Sequence, residues 1–121
     1  MIKEAYCSFE VARLLKEKGF NEVVHAYHNI YDKVNLDFRV SVDAPHLQIP
    51  CPTHQMAMAW LREKYNINID VVSIWEQKRW EYQVYIITPS TSKHPYRIDI
   101  LYMAYEEAVE AALKYCLEKL I

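Results

Sequence analysis

One pattern occurs twice in this chain and constrains its fold more than any other feature. Ser8 to Phe20 reads SFEVARLLKEKGF, and Thr53 to Ile67 reads THQMAMAWLREKYNI. Each begins on a hydroxyl side chain able to cap the first turn of a helix. Each then carries an early Glu10 or Gln55 and a Leu-basic-Glu-Lys step. Each ends on a residue that tolerates left-handed backbone, followed by an apolar one: Gly19-Phe20 and Asn66-Ile67. That ending is a Schellman-type helix stop. Strand-like segments follow both stops, so the chain reads as helix-then-strands, built twice.

Gly19 is the single glycine of 121 residues, and the first helix stop uses it. Phosphate loops, dinucleotide fingerprints, nucleophile elbows and GXXG clamps all need glycine where backbone approaches a ligand or takes positive φ. The common mononucleotide and dinucleotide enzymes are therefore disfavoured. The formal net charge of -2 gives no global basic field to gather nucleic acid or anionic lipid. No apolar run approaches the roughly 20 residues of a membrane span. Glu4, Glu10 and Arg13 interrupt any signal-peptide-like stretch, so a cytoplasmic location is expected. Cys7, Cys51 and Cys116 are odd in number, widely spaced and without a C-x-x-C pair. They read as three reduced, mostly buried thiols.

The periodicity predicts a helix over 8–18, with Val11, Ala12, Leu14 and Leu15 inward. A strand over 22–31 follows, with Val24, Ala26 and Ile30 on one parity, then a turn at Asp32-Lys33. Val34, Leu36, Phe38, Val40 and Val42 alternate with polar residues, as in a strand with one wet face. Pro45, Pro50 and Pro52 make 44–52 a connection. A second helix over 53–65 buries Ala57, Trp60, Leu61 and Tyr65. Three strands come next: one from Ile67 to Trp75, one with Trp80, Tyr82, Val84 and Ile86 inward, and one with Tyr96, Ile98, Ile100 and Tyr102 on one parity. The last helix starts near Tyr105 and repeats Val109, Ala112, Leu113, Cys116, Leu117 and Leu120 at helical spacing. The fold class is α+β, in the order α-β-β-α-β-β-β-α, with a mainly antiparallel sheet packed against helices. The expectation is a single domain of residues 1–121, made of a first unit, 1–48, and a second, 49–121.

The second unit, helix, three strands and a closing AVEAALKYCLEKL helix, resembles the double-stranded-RNA-binding domain in topology. In place of that family's basic cluster at the start of its last helix stands Met103-Ala104-Tyr105-Glu106-Glu107. In place of its Gly-Pro-x-His loop stands Glu76-Gln77-Lys78-Arg79. The resemblance therefore implies the fold and not the RNA function. The segments CPTHQMAMAWLREKYNI and YEEAVEAALKYCLEKLI also resemble stretches of small uncharacterised proteins of gut Bacteroides-type bacteria and their phages. That resemblance implies a bacterial or mobile-element origin and assigns no site residue.

His46, Cys51 and His54 form the one short-range cluster of metal-ligand types, spaced H-x4-C-x2-H. Tetrahedral zinc needs three or four such ligands, and no fourth is evident, so neither metal nor cofactor is expected. His25 and His28 fall on opposite faces of a strand. Ser8 is a cap, and Ser73 has no activating context. Asp37, Asp43, Asp70 and Asp99 occupy the polar parity of strands. Ten Tyr and three Trp remain as the oddity. Trp75, Trp80, Tyr85, Tyr27 and Tyr31 are the candidates for an interaction surface, since aromatics are enriched at protein interfaces. The sequence thus reads as a non-catalytic binding or accessory protein, not an enzyme, acting by protein contact or self-association, as in a homodimer. The alternative is a nucleic-acid binder using Arg62, Lys64, Lys78, Arg79 and Lys93.

Overall fold

The computed structural model describes residues 2–29, 34–35, 48–87, 96–97 and 100–121. It is an α+β protein whose residues group into two compact units, Met1–Ala57 and Met58–Ile121.

The first unit opens with helix α1, Phe9–Glu17. Ser8 caps it, its hydroxyl accepting from Val11 N at 3.2 Å. Val11, Ala12 and Leu15 are buried, while Arg13 and Glu17 pair on the wet face at 3.1 Å. The helix stops as its sequence predicts. Gly19 takes φ +98, Phe20 N donates to Leu15 O at 2.9 Å, and Gly19 N donates to Lys16 O at 3.1 Å. These are the two bonds of a Schellman motif, and the buried Leu15 and Phe20 supply its apolar clasp.

Strands β1, Tyr27–Asn29, β2, Val34–Asn35, and β3, Gln48–Pro50, form an antiparallel sheet in the order β2-β1-β3. Two corrections to the sequence reading arise here. The first strand begins at Tyr27 rather than near Glu22, although Val24 and Ala26 are buried on the parity expected and Val23 is exposed. The proline-rich connection contains β3, paired with β1 through Tyr27 and Pro50. Proline lacks a donor, and β3 tolerates Pro50 because it lies at the margin of the described sheet. The strand expected over 34–42 is described only as β2, and the rest of it lies outside the described residues.

Helix α2, His54–Tyr65, starts in the first unit and ends in the second. Thr53 caps it, accepting from Met56 N at 3.1 Å. Asn66, at φ 57, ends it. In the second unit β4, Ile67–Ile74, and β5, Arg79–Ile86, make an eight-residue antiparallel hairpin. Gln77 N donates to Ile74 O and Lys78 N to Trp75 O, and Lys78 turns through φ 54. Strand β6, Tyr96–Arg97, adds to β5, giving the order β4-β5-β6. Helix α3, Tyr105–Tyr115, packs on β5 and β4 and tightens no further, ending instead in a π-helical turn, Cys116–Leu120. Ile67, Ile69, Tyr82 and Val84 from the sheet and Val109, Leu113 and Leu117 from the last helical segment are buried in this unit.

The last strand departs from simple alternation. Arg97 pairs with Gln83, and Tyr102 bridges Trp80 through two 2.8 Å hydrogen bonds. Four residues separate Arg97 from Tyr102 where two separate Trp80 from Gln83, so the register slips by two. Ile100, expected inward, is exposed together with Leu101.

Candidate functional site

In the first unit, the N-terminal segment returns beside the start of α2. Tyr6 bridges Thr53, Cys7 N donates to Pro52 O at 3.0 Å, and His54 N donates to Ala5 O at 2.9 Å. This pairing brings Cys7 Sγ within 4.8 Å of a His54 ring nitrogen. Cys51 directs its thiol to the Cys7 carbonyl at 3.2 Å. Cys7, Cys51 and His54 are all buried. Of the ligand set read from the sequence, Cys51 and His54 share this corner, and His46 lies outside the described residues. Cys7 joins them through pairing across 46 residues, which no local spacing reveals. Among the described residues of this unit, Cys7 and His54 bring two zinc-type ligand atoms together.

A pocket of about 220 Å³ lies alongside, lined by Glu4, Tyr6, Val24, His25, Cys51, Pro52, Thr53 and Met56. Ligand sites of drug-sized molecules run from roughly 300 Å³ upward, so this one suits only a small guest.

The second unit carries the other candidate, an aromatic and apolar end of its sheet. Ser73, Trp80 and Tyr102 lie side by side across three chain segments, which defines that end. Trp75, just past β4, is 79% exposed, and Met103, just past Tyr102, is 71% exposed. Val72 on β4 and Leu101, next to Tyr102 in sequence, are exposed as well. Beneath this end the aromatics turn inward. Trp80 meets Tyr105 edge to face at 5.4 Å, and Tyr82 stands 6.2 Å from Tyr102 and 6.3 Å from Tyr115. Burial, then the neighbouring Tyr102, Cys116 and Tyr115, pushes the Tyr82 phenol far above its usual range. Burial likewise raises Tyr102 and pushes the Cys116 thiol up to about 12.

The five aromatic candidates thus fall in different places. Trp75 is open to solvent, and Trp80 is half-buried. Tyr85 is half-buried on the sheet face away from α3, its hydroxyl donating to Gln83 Oε1 at 2.6 Å. Tyr27 is buried in the first unit, and Tyr31 lies outside the described residues. Among the basic candidates, Lys78 and Arg79 sit at the β4–β5 turn, and Arg79 Nη1 donates to Lys78 O. Arg62 and Lys64 sit in the last turn of α2, and Lys93 lies outside the described residues. Glu106 and Glu107 are exposed in the first turn of α3, where their charge suits the helix dipole and repels phosphate. Met103 and Ile100 are the surface residues that sequence reasoning missed, while Leu101 is exposed on the parity that alternation assigns to solvent.

Among the described residues, no helix is long and apolar enough to cross a membrane. No family model, no curated protein and no solved structure matches the chain.

Proposed function

We propose that this chain is a non-catalytic binding protein that acts through protein–protein contact, self-association being its simplest form. The observation that carries this reading is Trp75, 79% exposed at the end of β4 with Val72 exposed on the same strand. A tryptophan presents 150–250 Å² of mostly apolar surface, and covering it is worth a few kcal/mol. Large exposed aromatics are what interface hot spots are made of. The order helix, three antiparallel strands, helix over α2 to α3 supports a double-stranded-RNA-binding-like arrangement as the finer description of the fold. The exposed Glu106 and Glu107 count against that family's ligand.

Sedimentation of the full chain over a concentration series tests the reading, with Trp75→Ser alongside and labelled duplex RNA titrated into the same sample. The expected result is a mass that rises with concentration in the native chain and falls back in the variant. A strict monomer that binds RNA in a salt-sensitive manner overturns the proposal.

A further inference from the structure

We infer that the pocket of the first unit is a binding site for a small amine, a primary ammonium joined by a short chain to one aromatic ring. The inference goes beyond the protein-contact reading and stands apart from it, since Trp75 belongs to the second unit.

Strand parity builds this pocket. Tyr6 faces Thr53 across an antiparallel bridge, held by the bonds from Cys7 N to Pro52 O and from His54 N to Ala5 O. Residues two apart on extended chain share a face. Glu4 and Cys51 therefore lie on the side of Tyr6 and Thr53, while Cys7 and His54 take the opposite side. Cys51 N donates to Ala26 O at 2.9 Å, which brings the preceding Val24 and His25 alongside. The Thr53 cap starts α2 at the same place and sets Met56 in its first turn. Together these residues enclose about 220 Å³.

The lining grades from apolar to charged, and each property narrows the guest. Val24, Cys51 and Pro52 are buried, Tyr6, Thr53 and Met56 are half-buried, and Glu4 and His25 are exposed. A cavity of about 150 Å³ takes one benzene ring. The volume here, about 220 Å³, adds room for a short chain and not for a nucleotide. The buried residues offer apolar contact, and the Met56 thioether favours an aromatic partner. No lysine or arginine lines the pocket, so an anionic guest finds no cationic side chain of that kind. With histidine counted neutral, Glu4 is the one charge of the lining. Among the described residues it makes no ion pair. Its carboxylate attracts a cation, and the Tyr6 ring adds to that attraction. The hydroxyl oxygens of Tyr6 and Thr53 can accept hydrogen bonds from an ammonium. A ring on the buried side and an ammonium at Glu4 satisfy the lining together.

Phenethylamine is the probe. Titrated into the full chain and followed by amide NMR, it should shift the amides of Glu4, Tyr6, His25, Cys51 and Met56. The shifts should saturate with a dissociation constant of about 1 mM, modest per heavy atom for so small a ligand. Phenethyl alcohol has the same shape without the charge and should bind about threefold more weakly, because an exposed ion pair is worth little. Glu4→Gln, at an exposed position, should weaken the amine by the same factor and leave the alcohol unchanged. Hydrocinnamate carries a carboxylate in place of the ammonium, and ethylamine lacks the ring; neither should give a saturable shift. Four results overturn the inference. These are shifts that do not saturate, saturable shifts centred on other residues, a hydrocinnamate as tight as the amine, and a Glu4→Gln chain that holds the amine as tightly as the native one.

Discussion

Replacing Gly19 by alanine isolates what the first helix stop contributes. The glycine sits at φ +98, and a Cβ built there meets no heavy atom within 4 Å. The substitution therefore has no steric term, only a backbone one. Holding an L-residue in left-handed backbone costs about 1–2 kcal/mol. Alanine also restricts the unfolded chain, which returns roughly 0.4–1 kcal/mol. The net expectation is a loss of about 1 kcal/mol, or about 4 °C in melting temperature. Gly19→Asn should cost about half as much, because asparagine tolerates this region. Urea melts should be followed by circular dichroism as well as fluorescence, since Trp60, Trp75 and Trp80 all lie in the second unit and Gly19 lies in the first. A neutral or stabilising alanine, or an asparagine costlier than alanine, would refute the stop and the assignment of Leu15 and Phe20 as its clasp.

Three further outcomes follow from the second unit and the buried thiols. Cys116 and Tyr82 both have raised values in the fold, so they favour it fully below their unfolded values and lose that contribution as pH climbs through the folded ones. Stability should hold to about pH 9 and then fall, and Tyr82→Phe should flatten the fall; an equally steep decline in the variant would count against the aromatic cluster as its source. Cys7, Cys51 and Cys116 are each buried, so an aromatic disulfide reagent should titrate none of them in the native protein and all of them in urea. Rapid native labelling would show that at least one thiol is open. A generic RNA duplex should show no binding near physiological salt, and tight binding that weakens on Glu106→Lys, rather than strengthening, would contradict the electrostatic reasoning.

The parts of the fold legible in the sequence were those with local chemical causes. Ser8 and Thr53 cap, Gly19 and Asn66 stop, and each sits where its side chain or missing side chain suggests. Alternation also placed Tyr82 and Val84 inward on β5. What escaped depended on distant partners. Pro50 looks like a strand breaker until β1 is seen beside it, leaving β3 at the margin. Cys7 carries no motif, and only the pairing of Tyr6 with Thr53 brings it to His54. Of the candidate surface, Trp75 was singled out by its type, while the exposure of Ile100 runs against the alternation that placed it inward.

The pairing of Tyr6 and Cys7 with Pro52 and Thr53 bears on the order in which the chain acquires structure. Cys7 and Thr53 are 46 residues apart, whereas a four-residue loop joins β4 to β5. Closing the longer loop costs about 2 kcal/mol more in chain entropy. Hairpins form in roughly 1–10 μs, ahead of such distant contacts. When the complete chain refolds from denaturant, the β4–β5 half should therefore be the first to settle. Pulse-labelled hydrogen exchange should accordingly find the β4–β5 amides protected before that of Cys7, and the reverse order would mean that the early segment collapses by contacts other than its native ones.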